Sequence, residues 1–442
     1  MMTDRQQALY TALGTGALAF AFFWLPVPRL FEFAGYLLIL LFVPMALSPS
    51  SRDLRRDPVV GLGLAFFLYI LLSIIWHRYT LPDHFPSTTS DRRFLRVLYF
   101  VAIAYAVARS RVLSAWRLLG VAFAGLLVYL VGQFDAAEWG RAWRGERIDF
   151  GMQNAQHTSI VFATCVLALS LFTPRFYRWT KTLRRITASL YAVLWSGALL
   201  LSVWGVFVSQ TRAVWLGLGL AILLLPGIHR LACRLQGRTP PALRKPLLIG
   251  VAGAVLLGVL ASSFTSLELD PRFDAEKVTW DSLRQAAMHA DRDLNSIEIR
   301  VASWSAAVGW IREKPFMGWG GRGSRPLIDH SDLFSEAFKQ QFNHLHNAYL
   351  QVLVEIGFIG AMFIAVLMAL VGRASIQSYR RQRMPLDVFV FAWSFFLFWL
   401  VVSLFESYII YQSGTYLIAI ITGFVYSWCV RQPPTGRGRA AA

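Results

Sequence analysis

The stretch Asn343-His344-Leu345-His346-Asn347-Ala348-Tyr349-Leu350-Gln351-Val352-Leu353-Val354-Glu355-Ile356-Gly357-Phe358-Ile359-Gly360 turns a polar loop into an apolar run that continues far enough to enter a membrane. Asn343 is suited to cap the helix start, and from Ala348 onward apolar residues run almost unbroken except for Glu355. On a helix His346, Leu350, Leu353, Gly357 and Gly360 share one stripe, because steps of three and four residues return to the same face. Glycines in that stripe admit a neighbouring helix. A titratable imidazole, with His344 beside it, is then predicted at the water-facing lip of a tightly packed helix pair, where burial can bring its pKa near working pH. A histidine there also suits a helix cap or the headgroup zone, so position alone leaves a structural role open.

Working outward, the composition extends the same reading. Hydrophobic residues make up 56% of the 442, which predicts an all-α polytopic membrane protein. Apolar runs mark twelve candidate spans, near residues 8 to 27, 30 to 48, 58 to 76, 93 to 108, 113 to 133, 156 to 173, 186 to 208, 212 to 229, 247 to 264, 346 to 371, 386 to 406 and 412 to 430. The first has no small-residue cleavage site after it and reads as a retained span. Cys165, Cys233 and Cys429 lie in spans or near their ends and suggest neither a disulfide framework nor a metal site.

The net charge of +18 would raise nucleic-acid binding in a soluble protein. Here it collects in alternate turns: Arg52, Arg55 and Arg56; Arg109 and Arg111; Arg175 to Arg185; Arg230 to Lys245; Arg373 to Arg383; and a tail with Arg431, Arg437 and Arg439. By the positive-inside rule these turns and both termini face the cytoplasm, and the intervening loops face the periplasm. The predicted partner is therefore membrane lipid and no nucleic acid.

The predicted organisation is nine spans over 1–264, a lid-like periplasmic loop over 265–345, three spans over 346–430 and a basic cytoplasmic tail over 431–442. In the loop, Asn295 or Ser296 is suited to cap a helix with Ile297, Val301, Trp304, Val308 and Ile311 in one stripe, broken by Pro315 and Gly318-Trp319-Gly320. Trp304, Trp310, Phe316 and Trp319 suit a helix lying in lipid headgroups. A smaller outer loop carries Arg141, Arg144 and Arg147, then Gly151, Gln153 and Asn154 at the mouth of the sixth span.

Several residues there can carry chemistry. Arg212, one residue past Thr211 at a helix start, joins free backbone N–H groups and the positive end of the macrodipole, a sound phosphate site. The alternative is an arginine snorkelling to lipid phosphates. Arg300 sits beside Trp304 on the lid helix, its guanidinium reaching toward the bundle; the alternative is a solvated charge. Arg322 and Arg325 are further phosphate candidates in a glycine-rich turn. Glu355 and Glu406 lie in or near spans, where a carboxylate is expected to have a structural partner. No outer Asp/Glu cluster suggests a metal, and no P-loop or G-x-S-x-G suggests nucleotide or serine chemistry.

The pattern His346-Asn347, nine residues, Gly357, two residues, Gly360 resembles the signature of bacterial O-antigen ligases, of which O-antigen polymerases carry looser versions. Arg300, Trp304, Pro315, Gly318 and Gly320 resemble that family's arginine, tryptophan and Pro-x-x-Gly-x-Gly element. Arg212 with Trp215 resembles its arginine at an outer helix end. The resemblance implies transfer of O-antigen polysaccharide from undecaprenyl pyrophosphate to a sugar hydroxyl of lipid A-core at the inner membrane. Residue chemistry fits that assignment: His346 is the expected catalytic base, Arg212 and Arg300 are expected on the pyrophosphate, and Asn154, Trp215, Trp304, Asn347, Gly357 and Gly360 are expected to support them. No cofactor and no metal is expected. The alternatives are a polymerase with a lipid-linked acceptor, or a flippase of lipid-linked glycans.

Overall fold

A computed structural model describes residues 4–48, 51–81, 88–110, 112–239, 296–334 and 336–431. The predicted ninth span at 247–264, the acidic part of the predicted lid, the Asn295 cap and Arg437 and Arg439 of the tail lie outside the described residues. The other eleven predicted spans are helical, and eight helices are long and apolar enough to cross a membrane. Among the described residues there are no strands, so the chain is an all-α polytopic membrane protein.

In chain order the helices are α1 (Asp4–Phe23), α2 (Pro28–Leu47), α3 (Arg52–Arg55), α4 (Pro58–Thr80), α5 (Tyr99–Arg109), α6 (Ala115–Gly132), α7 (Ala136–Trp143), α8 (Ala155–Thr180), α9 (Arg185–Val208) and α10 (Arg212–Leu235). There follow α11 (Ser296–Glu313), α12 (Ser324–Asp329), α13 (Glu336–Gln341), α14 (Ala348–Arg380), α15 (Leu386–Val402) and α16 (Gln412–Val430). Two stretches of tighter 3₁₀ helix occur at Thr88–Leu98 and Tyr408–Ile410.

At the centre α5 packs along α16, with Phe100 to Val107 buried without interruption and Gly423 admitting Ile103. The predicted fourth span is therefore split: its first part is a 3₁₀ stretch and only eleven residues are α-helical. The cause lies in Arg93, whose guanidinium is drawn inward to form an ion pair with the fully buried Glu355 of α14. Glu355 thus has the partner its depth requires. Ser324 Oγ and Gln351 Nε2 also donate to its Oε1 at 3.0 and 2.7 Å.

At the basic end, Arg175 of α8 makes a bidentate pair with Asp387 of α15 at 2.6 and 2.8 Å. Asp57 caps α4 by accepting from Val59 N at 2.9 Å.

Residues of α11 to α13 form a second hydrophobic core of their own, with Ala302, Ala306, Ala307, Trp310, Phe334 and Phe338 packed against Leu345 and Val354. The predicted stripe of α11 is corrected here: Val308 is exposed, and the buried face runs through Ala302, Ser303, Ala306 and Trp310. Small residues win that face because they let α11 lie close to α14. Trp310 is buried, and Trp304 and Trp319 give their indole N–H groups to the Leu345 and Trp310 carbonyls, so three of the four aromatics expected in lipid are turned into protein. Phe316 alone of the four is exposed.

The deciding stretch also departs from a plain helix. Gly357 has φ 62° and ψ −173°, a conformation open essentially to glycine, and it breaks α14. The segment Pro315–Trp319 docks on the break: Phe358 N donates to Pro315 O at 2.7 Å, Ile359 N to Phe316 O at 3.2 Å, and Trp319 N to Val354 O at 2.8 Å. From α4, Tyr69 OH donates to Ile356 O at 2.5 Å, and His77 Nε2 lies 3.2 Å from Gly318 O.

The backbone groups that the break would leave orphaned are satisfied in this way. The glycines are there for an extended loop, which corrects the expectation of a neighbouring helix. A Cβ on Gly357 would lie 2.2 Å from Phe316 O, and one on Gly318 2.6 Å from the Glu355 backbone. Gly360 faces its own helix, where a Cβ would meet the Ile356 side chain.

Gly357→Ala is accordingly expected to destabilise the protein by at least about 2 kcal/mol. A lower melting temperature of the detergent-purified variant is the readout, and an unchanged one would mean the docking is dispensable.

Candidate active site

The helix after the histidines starts at Ala348, with Asn347 as its cap; Asn347 Oδ1 accepts from Tyr349 N and Leu350 N at 3.0 and 3.1 Å. Asn343, predicted for that role, lies upstream in the loop, where its Oδ1 is 3.0 Å from His344 Nδ1. His346 therefore precedes the helix and shares no stripe with Gly357. Its backbone is left-handed, at φ 50°, which an ordinary side chain adopts only when its surroundings over-determine it.

The surroundings here do so. Leu345 N donates to the buried Gln351 Oε1 at 2.9 Å, Asn347 N to Ser407 Oγ at 3.2 Å, and Ala348 N to Ser403 O at 2.8 Å. Trp304 holds the Leu345 carbonyl from the side of α11, at 3.2 Å.

That backbone aims His346 at Glu406, a buried carboxylate in the turn between α15 and α16. Glu406 Oε2 lies 3.3 Å from His346 Nδ1, and Oε1 lies 2.8 Å from His344 Nε2 and accepts from Ser407 N at 2.7 Å. The Tyr411 hydroxyl meets His344 Nδ1 at 3.0 Å. Burial alone would raise the Glu406 pKa, but the hydrogen bonds from both imidazoles outweigh it and hold the carboxyl well below its ordinary range.

His346 moves down as well, first because burial disfavours its charged form and further because His344 and Arg300 repel a proton there, against the hydrogen bond of Glu406. The resting state is an ionised carboxylate that accepts from a neutral imidazole through Nδ1–H. Nε2 of His346 then carries the lone pair, and it has no hydrogen-bond partner among the described residues. Base, orienting acid and unused lone pair are the parts of a general base.

The predicted cations divide. The charge of Arg300 reaches both His346 and Tyr408, so the structure brings Arg300 to the histidine loop. Arg212 is exposed at the first position of α10. It sits on an adjoining edge: Thr211 Oγ1 donates to Ala155 O at 3.3 Å, and Tyr408 OH donates to Gln156 O at 3.4 Å, so the starts of α8 and α10 meet beside Tyr408. Asn154 caps α8 by accepting from Gln156 N and His157 N at 2.8 and 3.1 Å.

Arg325 is held instead by Asp329 at 2.8 Å, because a carboxylate stands one helical turn away. Arg322 is exposed, in a left-handed turn. Trp215 is buried under the α9–α10 turn with its N–H on Val206 O at 3.1 Å, a packing role.

Sequence reasoning missed four groups. Arg147, whose Nε donates to Ser209 O at 3.2 Å, adds a third charge felt at Tyr408. His157 packs edge-on against Tyr408 and Tyr411. Gln351 positions the histidine loop, and Glu406 was read only as a structural acid. A histidine pair two residues apart, facing a carboxylate at the next outer turn, was the available signal.

His344, His346 and Glu406 also offer ligand atoms within 4.8 Å of one another, a donor set that suits a divalent cation. The expectation of no metal therefore becomes a measurement, placed with the function below.

Fold and site together define a multi-pass membrane protein with a buried histidine–carboxylate centre at one end of its bundle. Residues 197–365 match the family model described as O-antigen ligase. Members of the family are membrane glycosyltransferase-like enzymes with lipid-linked glycan partners. The match contains Arg212, Arg300, His346, Gly357 and Gly360 and ends before Glu406. A comparison with curated proteins found no match.

Proposed function

We propose that the protein is an O-antigen ligase, transferring polysaccharide from undecaprenyl pyrophosphate to a sugar hydroxyl of lipid A-core at the periplasmic face of the inner membrane. The observation that carries this reading is His346 with Nδ1 3.3 Å from the buried Glu406, Nε2 without a hydrogen-bond partner among the described residues, and the charge of Arg300 close by. Nε2 takes the acceptor hydroxyl proton as that oxygen bonds to the anomeric carbon. The bond from that carbon to the pyrophosphate oxygen breaks, and its electron pair leaves with undecaprenyl pyrophosphate. Glu406 stabilises the imidazolium, while Arg300 and Arg212 match the growing charge on the diphosphate, helped by the adjoining helix starts of α8 and α10. Direct displacement inverts the anomeric centre.

A lipid-linked donor is supported further by an apolar cavity of about 730 Å3 between α6, α8, α9 and α16. It begins about one helical turn below His157 and Ser413, at Val161 and Leu417, and runs along Trp116, Phe172 and Trp195. An isoprenoid chain has the shape and chemistry for it.

Loss of the gene is expected to leave lipid A-core without any O-chain. Core carrying one repeat unit would instead make the protein a polymerase. Glycan transfer between two lipids by purified protein in detergent excludes a flippase. Since the imidazoles already share Glu406 by hydrogen bonds, activity is expected to survive EDTA undiminished; loss restored by a divalent cation would turn the three residues into a metal centre.

A further inference from the structure

At the end of the bundle opposite the histidine loop, α3 with the junction before α4 and the last turns of α5, α14 and α16 enclose a polar cavity of about 460 Å3. Its walls carry Arg56, Arg381, Arg383 and Arg431 together with Asp53 and Asp57. Both acids are already committed. Asp57 accepts from the Tyr105 hydroxyl at 2.7 Å and from the Tyr426 hydroxyl at 2.7 and 2.8 Å besides capping α4, and Asp53 pairs with Arg109.

Among the described residues none of the four arginines forms an ion pair. Four like charges around one cavity repel unless an anion sits among them, and guanidinium groups match the oxygens of a phosphate.

A second cavity, of about 570 Å3, lies along the neighbouring face of α14 and is apolar, lined by Met368, Ile376, Trp393 and Phe396 with Arg373 and Arg380 at its rim. Gln377 lines both cavities. A charged pocket at the depth where the spans end, joined to an apolar groove between α14 and α15, has the two-part chemistry of a phospholipid.

We propose that the pocket binds the phosphodiester headgroup of an anionic phospholipid whose acyl chain lies in the α14–α15 groove. The site lies away from the proposed chemistry, so this proposal and the ligase reading fail independently.

The test is native mass spectrometry of the full chain in neutral detergent, titrated with phosphatidylglycerol, phosphatidylcholine or inorganic phosphate. The anionic lipid is expected to be retained at a roughly tenfold lower concentration than the zwitterionic one. The double variant Arg381→Gln/Arg431→Gln should lose that preference while keeping the wild-type melting temperature without lipid. Should that variant not fold, Gly372→Leu, which fills the groove and leaves the arginines in place, should lower lipid retention.

Equal retention of the two lipids would overturn the proposal, as would an undiminished preference in the arginine double variant or undiminished lipid retention in Gly372→Leu. Inorganic phosphate that displaces the lipid at equal concentration would assign the pocket to free phosphate and overturn the lipid assignment.

Discussion

Replacing His346 by alanine is expected to lower glycan transfer by about a thousandfold or more while the protein is still made and inserted. The size follows from what Nε2 is asked to do. A sugar hydroxyl is a poor nucleophile until its proton is taken; of the neighbouring imidazoles among the described residues, His344 faces Glu406 and Tyr411 with its two nitrogens, and His157 is buried with Nδ1 on Ser413 Oγ.

The sign of the pH dependence follows from the same geometry. His346 works unprotonated, and burial lowers its pKa, so activity should be flat through neutrality. It should fall only below the ordinary imidazole value of about 6.5. Lipopolysaccharide gel profiles of a strain expressing the variant give the first readout; substantial O-chain in that strain would remove the base from the mechanism.

Arg300→Ala is expected to cut turnover by about a hundredfold, the usual cost of losing one donor to developing charge. Two measurable effects should appear together. Leaving-group stabilisation is lost, so kcat/KM falls. The positive charge that repels a proton from His346 is also gone, so the acidic limb of the pH profile should move up. Arg300→Lys should restore the position of that limb but recover rate only in part, because an ammonium cannot grip two diphosphate oxygens at once. A variant with reduced rate and an unmoved limb would place Arg300 outside the site.

Much of the architecture was legible because apolar run length and turn composition report directly on membrane spans. What the sequence hid depended on pairs of distant segments. The break at Gly357 needs Pro315–Trp319, some forty residues earlier, to supply its hydrogen bonds, so an unbroken span was the natural reading of residues 346 to 371.

The same holds for Thr88–Leu98, whose 3₁₀ winding makes sense only once Arg93 is seen to reach Glu355 across the bundle. Within the site, the histidines and Arg300 were visible as residue types in an outer loop. The role of Glu406 was not, since sixty residues and two helices separate it from His346. Burial facts also reversed one aromatic reading. Tryptophans suit headgroups and small protein cores equally well by composition, and only the packing of α11 on α14 decides between them.

The most direct measurement is the rate of glycan transfer from a polyprenyl-pyrophosphate donor to a lipid acceptor by purified protein across a pH range, with wild type beside Glu406→Gln. The hydrogen bond from His346 to Glu406 works against the lowering of the histidine pKa, so its loss should shift the acidic limb to lower pH as the maximal rate drops about a hundredfold. An acidic limb that stays in place at full rate would contradict a His346–Glu406 base.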